Sequence, residues 1–325
     1  MKLVILITLI LTLISSAQAA PEAHHDHESH DWRTDKKGYA GVSKKLPIRN
    51  RLFGENKITS PKVQRIDMDY FKATLSVLSG KSAVPNRNEF IVERAANKNL
   101  DLTRQFLADE YSKLGFTISS HQFSSGVNFI AERKGFSEPE KILILSSHID
   151  SVGNSGANDD GTGTAALLAI ARELSQKNHK YTLRIIGFDR EEKGLVGSKE
   201  YVKQIKGENI IADIQFEMFG HHSKNDGIFH VIDCNLKHSL FLSTAMIQSA
   251  EQVAPAVQIS KTCTDRSDHA SFWSVNIPAI VISENFFGGD ADPCYHQKCD
   301  VLDDRLNYPY MQNIMEVTLS AVESL

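Results

Sequence analysis

From about Ile66 onward, apolar positions recur with regular spacing along the chain. Asp67 to Leu78 reads as a helix closed by Gly80, and Leu100, Thr103, Leu107, Tyr111 and Leu114 mark a second helix that Gly115 stops. Strands and helices then alternate. Phe116–Ile118 and Val127–Ile130 read as short strands. Lys141–Ser147 is a nearly continuous apolar run, as expected of a strand covered on both faces. An apolar helix over Thr164–Leu174 precedes a strand at Leu183–Phe188, a helix at Gly197–Ile205 and a strand at Ile210–Phe216. A helix around Leu240–Val253, a strand at Pro278–Ser283 and a closing helix from about Tyr308 complete the series. This order predicts a three-layer α/β domain over residues 61–325, with a central, mostly parallel mixed sheet flanked by helices.

The N-terminus breaks the pattern. Leu3–Ile14 is apolar, follows Lys2 and leads into Ser15-Ser-Ala-Gln-Ala19, the arrangement of a secretory signal peptide over residues 1–19, cleaved after Ala19. An uncleaved anchor is the alternative, but the run falls short of the roughly 20 apolar residues that span a bilayer. No membrane span is expected after its removal, and the mature protein is expected in the periplasm or outside the cell. Residues 20–60 are polar and hold His24, His25, His27 and His30, which suits a leader or pro-segment, with metal scavenging as the other reading. Export makes the four cysteines, Cys234, Cys263, Cys294 and Cys299, readable as two disulfides in an oxidising compartment. A zinc site competes, but no C-x2-C pair is present. Three pairings are open at this point.

Composition narrows the class further. With 41% hydrophobic and 23% charged residues, the 325-residue chain is neither disordered nor fibrous. Its 36 basic against 40 acidic side chains leave no cationic excess to hold a phosphate backbone, so no nucleic-acid partner is expected.

The chemistry gathers where ligands bind open α/β sheets, beyond the carboxyl ends of the strands. The first long strand runs into His148-Ile-Asp150 and then Ala157-Asn-Asp-Asp-Gly161. The next runs into Asp189-Arg-Glu-Glu192, a third ends at Glu217, and a fourth at Ser283-Glu284. Ser267-Asp-His269 and Tyr295-His296 follow the same tendency. Imidazoles and carboxylates without a thiolate suit Zn²⁺ or a neighbouring divalent ion. The His148-x-Asp150 spacing lets a carboxylate fix the imidazole tautomer. Adjacent Glu191 and Glu192 could divide the work, one facing a metal and the other shuttling a proton from water. A solvated charge run is the plainer reading of Glu191-Glu-Lys193.

Five ordered motifs carry a resemblance. They are His148-Ile-Asp-Ser151, Gly156-Ala-Asn-Asp-Asp-Gly-Thr-Gly163, Glu191-Glu-Lys-Gly-Leu-Val-Gly-Ser198, Ser267-Asp-His-Ala-Ser-Phe272 and Tyr295-His296. Over roughly residue 86 to the C-terminus, the chain resembles the M28 metallopeptidases, which include secreted bacterial leucyl aminopeptidases of the Vibrio and Streptomyces type. The resemblance implies a zinc-exopeptidase-like fold and two Zn²⁺ per molecule. It implies His148 and Glu217 at one ion, Glu192 and His296 at the other, and Asp159 bridging. It also implies Glu191 as general base, Asp150 orienting His148, Tyr295 donating to the developing oxyanion, and Arg266 touching a substrate carbonyl or carboxylate. Peptides with a free N-terminus would be the substrates, and a monomer is expected.

Glu217 departs from the pattern, because many members have Asp there. The five-residue spacing of Cys294 and Cys299 would close a small loop around His296, which leaves Cys234 with Cys263. His269 is expected to support the wall of the site, and His221 and His222 to lie on the surface. Glutaminyl cyclase, with one zinc and no attacking water, is the alternative within the superfamily. A non-catalytic binding module would have lost ligands or base, and none is lost.

Overall fold

The computed structural model describes residues 65–325, so the signal-peptide and leader readings over residues 1–60 lie outside the described residues. Within them, the strands are β1 (Thr117–Phe123), β2 (Gly126–Arg133), β3 (Glu138–His148), β4 (Tyr181–Phe188), β5 (Asn209–Glu217), β6 (Ile228–Ile232), β7 (Gln258–Thr262) and β8 (Ala279–Glu284). The helices are α1 (Met68–Leu78), α2 (Asn97–Lys113), α3 (Gly161–Leu174), α4 (Val196–Gln204), α5 (Leu240–Val253), α6 (His269–Ser274) and α7 (Tyr308–Ser324). All eight strands form one sheet in the order β1-β2-β4-β3-β5-β8-β6-β7. The central pairs β4/β3, β3/β5 and β5/β8 are parallel, while β1/β2, β2/β4 and β8/β6 are antiparallel.

The two-residue period of a strand explains the layering. Leu143 and Leu145 of β3 enter one core with α1, α2, α3, α5 and α7, while Ile142 and Ile144 point to the opposite face. There they meet Ile186 and Phe188 of β4, Tyr201 and Val202 of α4, and Phe272 of α6. Phe188 and Phe272 pack edge-on with centroids 6.0 Å apart. Each fully buried aliphatic or aromatic side chain of this kind contributes about 1.5–3 kcal/mol. The helix starts are locally encoded. Asp67 caps α1 by accepting the Tyr70 N–H at 3.0 Å, and Asp160 caps α3 by accepting the Gly163 N–H at 3.0 Å. Gly163 has to be glycine, since a Cβ there would lie 2.4 Å from the Asp160 carboxylate.

β6, β7 and α6 escape the sequence pattern, and β1 runs beyond the strand read at Phe116–Ile118. β7 buries no residue fully and β1 only His121, β6 is short, and α6 has only six residues. The parallel strands leave their carboxyl ends on one edge of the sheet, and the candidate chemistry collects there.

Candidate active site

His148 is the last residue of β3 and is buried. Its Nδ1 lies 3.1 Å from the Asp150 carbonyl and 3.5 Å from the Asp150 carboxylate, so the carbonyl is the nearer acceptor. That carboxylate accepts instead the N–H groups of Glu191 (3.1 Å) and Glu192 (3.2 Å), which open a 3₁₀ turn after β4. One residue therefore ties the imidazole to the two glutamates. With Nδ1–H facing Asp150, His148 Nε2 is left to point at Asp159 Oδ1 (3.0 Å) and Glu217 Oε1 (3.6 Å).

Asp159 sits on the loop between β3 and α3, just before a cis peptide to Asp160. Asp300 holds that loop by accepting the N–H groups of Asn158 (2.8 Å) and Asp159 (3.1 Å). The second carboxylate oxygen of Asp159 lies 3.3 Å from His296 Nε2, which is also 3.0 Å from Glu192 Oε2. Glu217, at the end of β5, keeps Oε1 for His148 while Oε2 accepts the Ser267 hydroxyl at 2.6 Å. Ser267 is fixed in turn by Gln215. Two triads result, His148–Asp159–Glu217 and Asp159–Glu192–His296, and they share Asp159. A third grouping, His148–Glu191–Glu192, places Glu191 beside both.

The electrostatics fit a cation site. Asp159 Oδ2 and Glu192 Oε1 are buried and accept no hydrogen bond among the described residues. Both carboxylates lie beside His296, yet a buried oxygen that accepts no hydrogen bond is costly, and a divalent ion is the usual compensation. Burial and the neighbouring Asp159 charge push Glu192 up to about 7. Glu191 keeps some surface open to the pocket, yet desolvation drives it well above the usual carboxylate range, with Glu217 and Asp268 adding. Burial opposes charge on Asp159 as well, but His148 and His296 hold its carboxyl below the usual range. The donor set, imidazoles and carboxylates without thiolates, suits zinc.

Around these groups lies a pocket walled by Met218, Ile232, Val281, Phe286 and Phe287, with Arg266 and Tyr295 also lining it. Tyr295 stacks on His296 with centroids 3.8 Å apart, and burial keeps its phenol protonated far above neutral pH. The structure joins Cys234 to Cys263 and Cys294 to Cys299, so the second disulfide encloses His296. His269 is buried in the wall, donating from Nε2 to the Thr264 carbonyl at 2.9 Å and packing edge-on against Trp273. His221 and His222 are a correction: both are buried, not on the surface. His221 bridges to Leu306, and His222 stacks on Tyr310 at 4.1 Å. Sequence reasoning also passed over Arg94 and Asp300, and marked the buried Glu284 only as a strand end. They bind main-chain groups near the site, and no spacing signals that role.

A model of peptidase family M28 matches residues 128–322, more than half of the chain. The chain belongs to peptidase family M28. Among curated relatives, leupeptin-inactivating enzyme 1 of Streptomyces exfoliatus is 29% identical over 268 residues, covering 75% of this chain and 58% of that protein. An aminopeptidase of Pseudomonas aeruginosa is 32% identical over 200 residues, covering 53% and 36%. The chain thus spans just over half of the first relative and about a third of the second. Among solved structures, the LapA aminopeptidase of Legionella pneumophila superposes with a TM-score of 0.68 at 21% identity, over 83% of this chain and 77% of that one. A glutaminyl cyclase of Bacteroides thetaiotaomicron gives 0.66 at 18% identity, over 80% and 99%. At those identities the likeness is one of fold, a mixed sheet with flanking helices.

Proposed function

We propose that this M28 family member is an exported, zinc-dependent aminopeptidase with a pair of co-catalytic ions. The observation that carries the reading is Asp159, whose two oxygens face separate imidazoles, each completed by its own glutamate. His148 and Glu217 would hold one ion and Glu192 and His296 the other. Zinc, when bound, supplies Lewis acidity to the scissile carbonyl and to the attacking water. Glu191, adjacent to a ligand and raised in proton affinity by burial, takes the water proton and passes it to the leaving amine. Tyr295, held as a neutral phenol, donates to the developing oxyanion, and Arg266 meets a substrate carbonyl or carboxylate at the pocket. The free amine of the substrate is anchored among the carboxylates, which restricts cleavage to the first residue of a peptide. Two disulfides and the N-terminal apolar run support export, and a monomer is sufficient, because every proposed group comes from one chain.

A panel of aminoacyl-p-nitroanilides, with and without chelator, tests this. Chelator-sensitive release of nitroaniline is expected, and its absence from folded, zinc-supplied protein overturns the reading. The cyclase alternative is favoured by the fold likeness to the Bacteroides enzyme. It predicts one ion and cyclisation of N-terminal glutamine, so glutaminyl peptides belong in the same panel. The complete second set of ligands, Glu217 included, favours hydrolysis.

A further inference from the structure

Beneath the site lies Arg94, fully buried and, among the described residues, paired with no carboxylate within ion-pair distance. Its guanidinium has five N–H donors in a planar fork, and all five find backbone carbonyls. Nε donates to Ile149 (2.9 Å). Nη1 donates to Leu78 (2.9 Å) and Ser155 (2.8 Å), and Nη2 to Gly156 (2.8 Å) and Asp159 (3.4 Å). The Arg94 backbone is stitched to the same loop, since its N–H donates to the Ser151 hydroxyl and its carbonyl accepts the Ser151 N–H. One side chain thus grips both ends of the segment from Ile149 to Asp159 and moors it to the end of α1. That segment begins right after His148 and ends at the shared carboxylate. The positive charge also faces the acidic cluster from below, with Asp300, Asp160, Asp159 and Asp150 nearby.

We infer that Arg94 is the positioning residue that sets Asp159 between the two triads, so that the chain can take a second ion. The inference rests on the metallo-aminopeptidase reading above. Lysine cannot replace arginine here, because three donors radiating from one nitrogen cannot reach five carbonyls spread along a loop. Gly156 offers an independent handle. Its φ is +59°, and a Cβ there would lie 2.5 Å from the Asp159 carbonyl and 2.7 Å from Arg94 Nη2, wedging the fork off the loop.

The test titrates zinc alone into chelator-stripped protein against a chromophoric competitor, for the unaltered chain, Arg94→Lys and Gly156→Ala. Residues that support metal ligands typically carry about 10–100-fold in metal affinity or activity. Both variants are expected to bind the first ion nearly normally and the second about 10–100-fold more weakly. In zinc-limited assays kcat should fall by a similar factor, KM should stay within about threefold, and excess zinc should restore part of the rate. Wild-type affinity for both ions in either folded variant overturns the inference. So does collapse of the fold in both variants, which would make Arg94 a folding determinant instead. If the unaltered chain itself takes no pair of ions, the two-metal reading fails and takes the inference with it, a result the unaltered chain alone reveals and so distinct from a failure confined to the variants.

Discussion

His269 should make the protein acid-sensitive in a way that one substitution removes. Its ring is buried, Nε2–H is committed to the Thr264 carbonyl, and Nδ1 has no hydrogen-bond partner among the described residues. Protonation would place a charge on that unpartnered atom, and burial accordingly pulls the imidazole down to about 4 from an ordinary 6.5. The unfolded chain therefore binds the proton first. Stability from the neutral ring is complete above about pH 6.5 and drains away as pH falls toward 4, below which the loss levels off. A shift of this size is worth about 3 kcal/mol in full, of which about 2 kcal/mol is lost between pH 7 and pH 5. Urea unfolding of the unaltered chain and of His269→Gln, at both pH values, measures it. The variant starts less stable, having lost the edge-on contact with Trp273 at 4.4 Å, but its stability should fall by about 2 kcal/mol less on acidification. Equal losses in the two proteins would refute the reasoning.

Glu191→Gln keeps the shape of the side chain and removes its basicity, so turnover of an aminoacyl-p-nitroanilide should drop by about 10²–10⁴-fold with zinc content intact. Near-normal activity in a metal-loaded variant would remove Glu191 from its role. Elemental analysis of freshly purified protein should find two divalent ions per molecule. A count fixed at one with zinc in excess, together with cyclisation of N-terminal glutamine, would favour the cyclase. Peptide mapping without reduction should recover Cys234–Cys263 and Cys294–Cys299, and four free thiols in protein from its native compartment would refute the oxidised reading.

The fold was most legible where burial is symmetrical. Lys141–Ser147 lies mid-sheet and Thr164–Leu174 is packed nearly all round, so an apolar run sufficed to mark both. β1 and β7 lie at the edges of the sheet and present polar faces, which weakens any period. The antiparallel turn of β6 against β8 depends on pairing across fifty residues and has no local signature. In the site, the imidazoles and carboxylates that gather around Asp159 were readable because they lie at or just beyond strand ends and, Glu217 aside, fall in ordered motifs. Their supports were not. Arg94 and Asp300 act on main-chain carbonyls and amides, which any polar segment could supply. His221 and His222 look like surface residues until Leu306 and Tyr310, some 85 positions later, cover them.

The shared use of Asp159 has a consequence for when this molecule can become active. The groups that meet there come from the ends of β3, β4 and β5, from the loop before α3 and from the disulfide-bounded loop after β8. No fragment shorter than residues 148–296 contains both triads. As the chain emerges and folds from its N-terminal side, the second triad stays open until His296 has arrived and its loop is in place. The proposed chemistry is thereby timed by assembly itself: a partly folded copy cannot trim its neighbours.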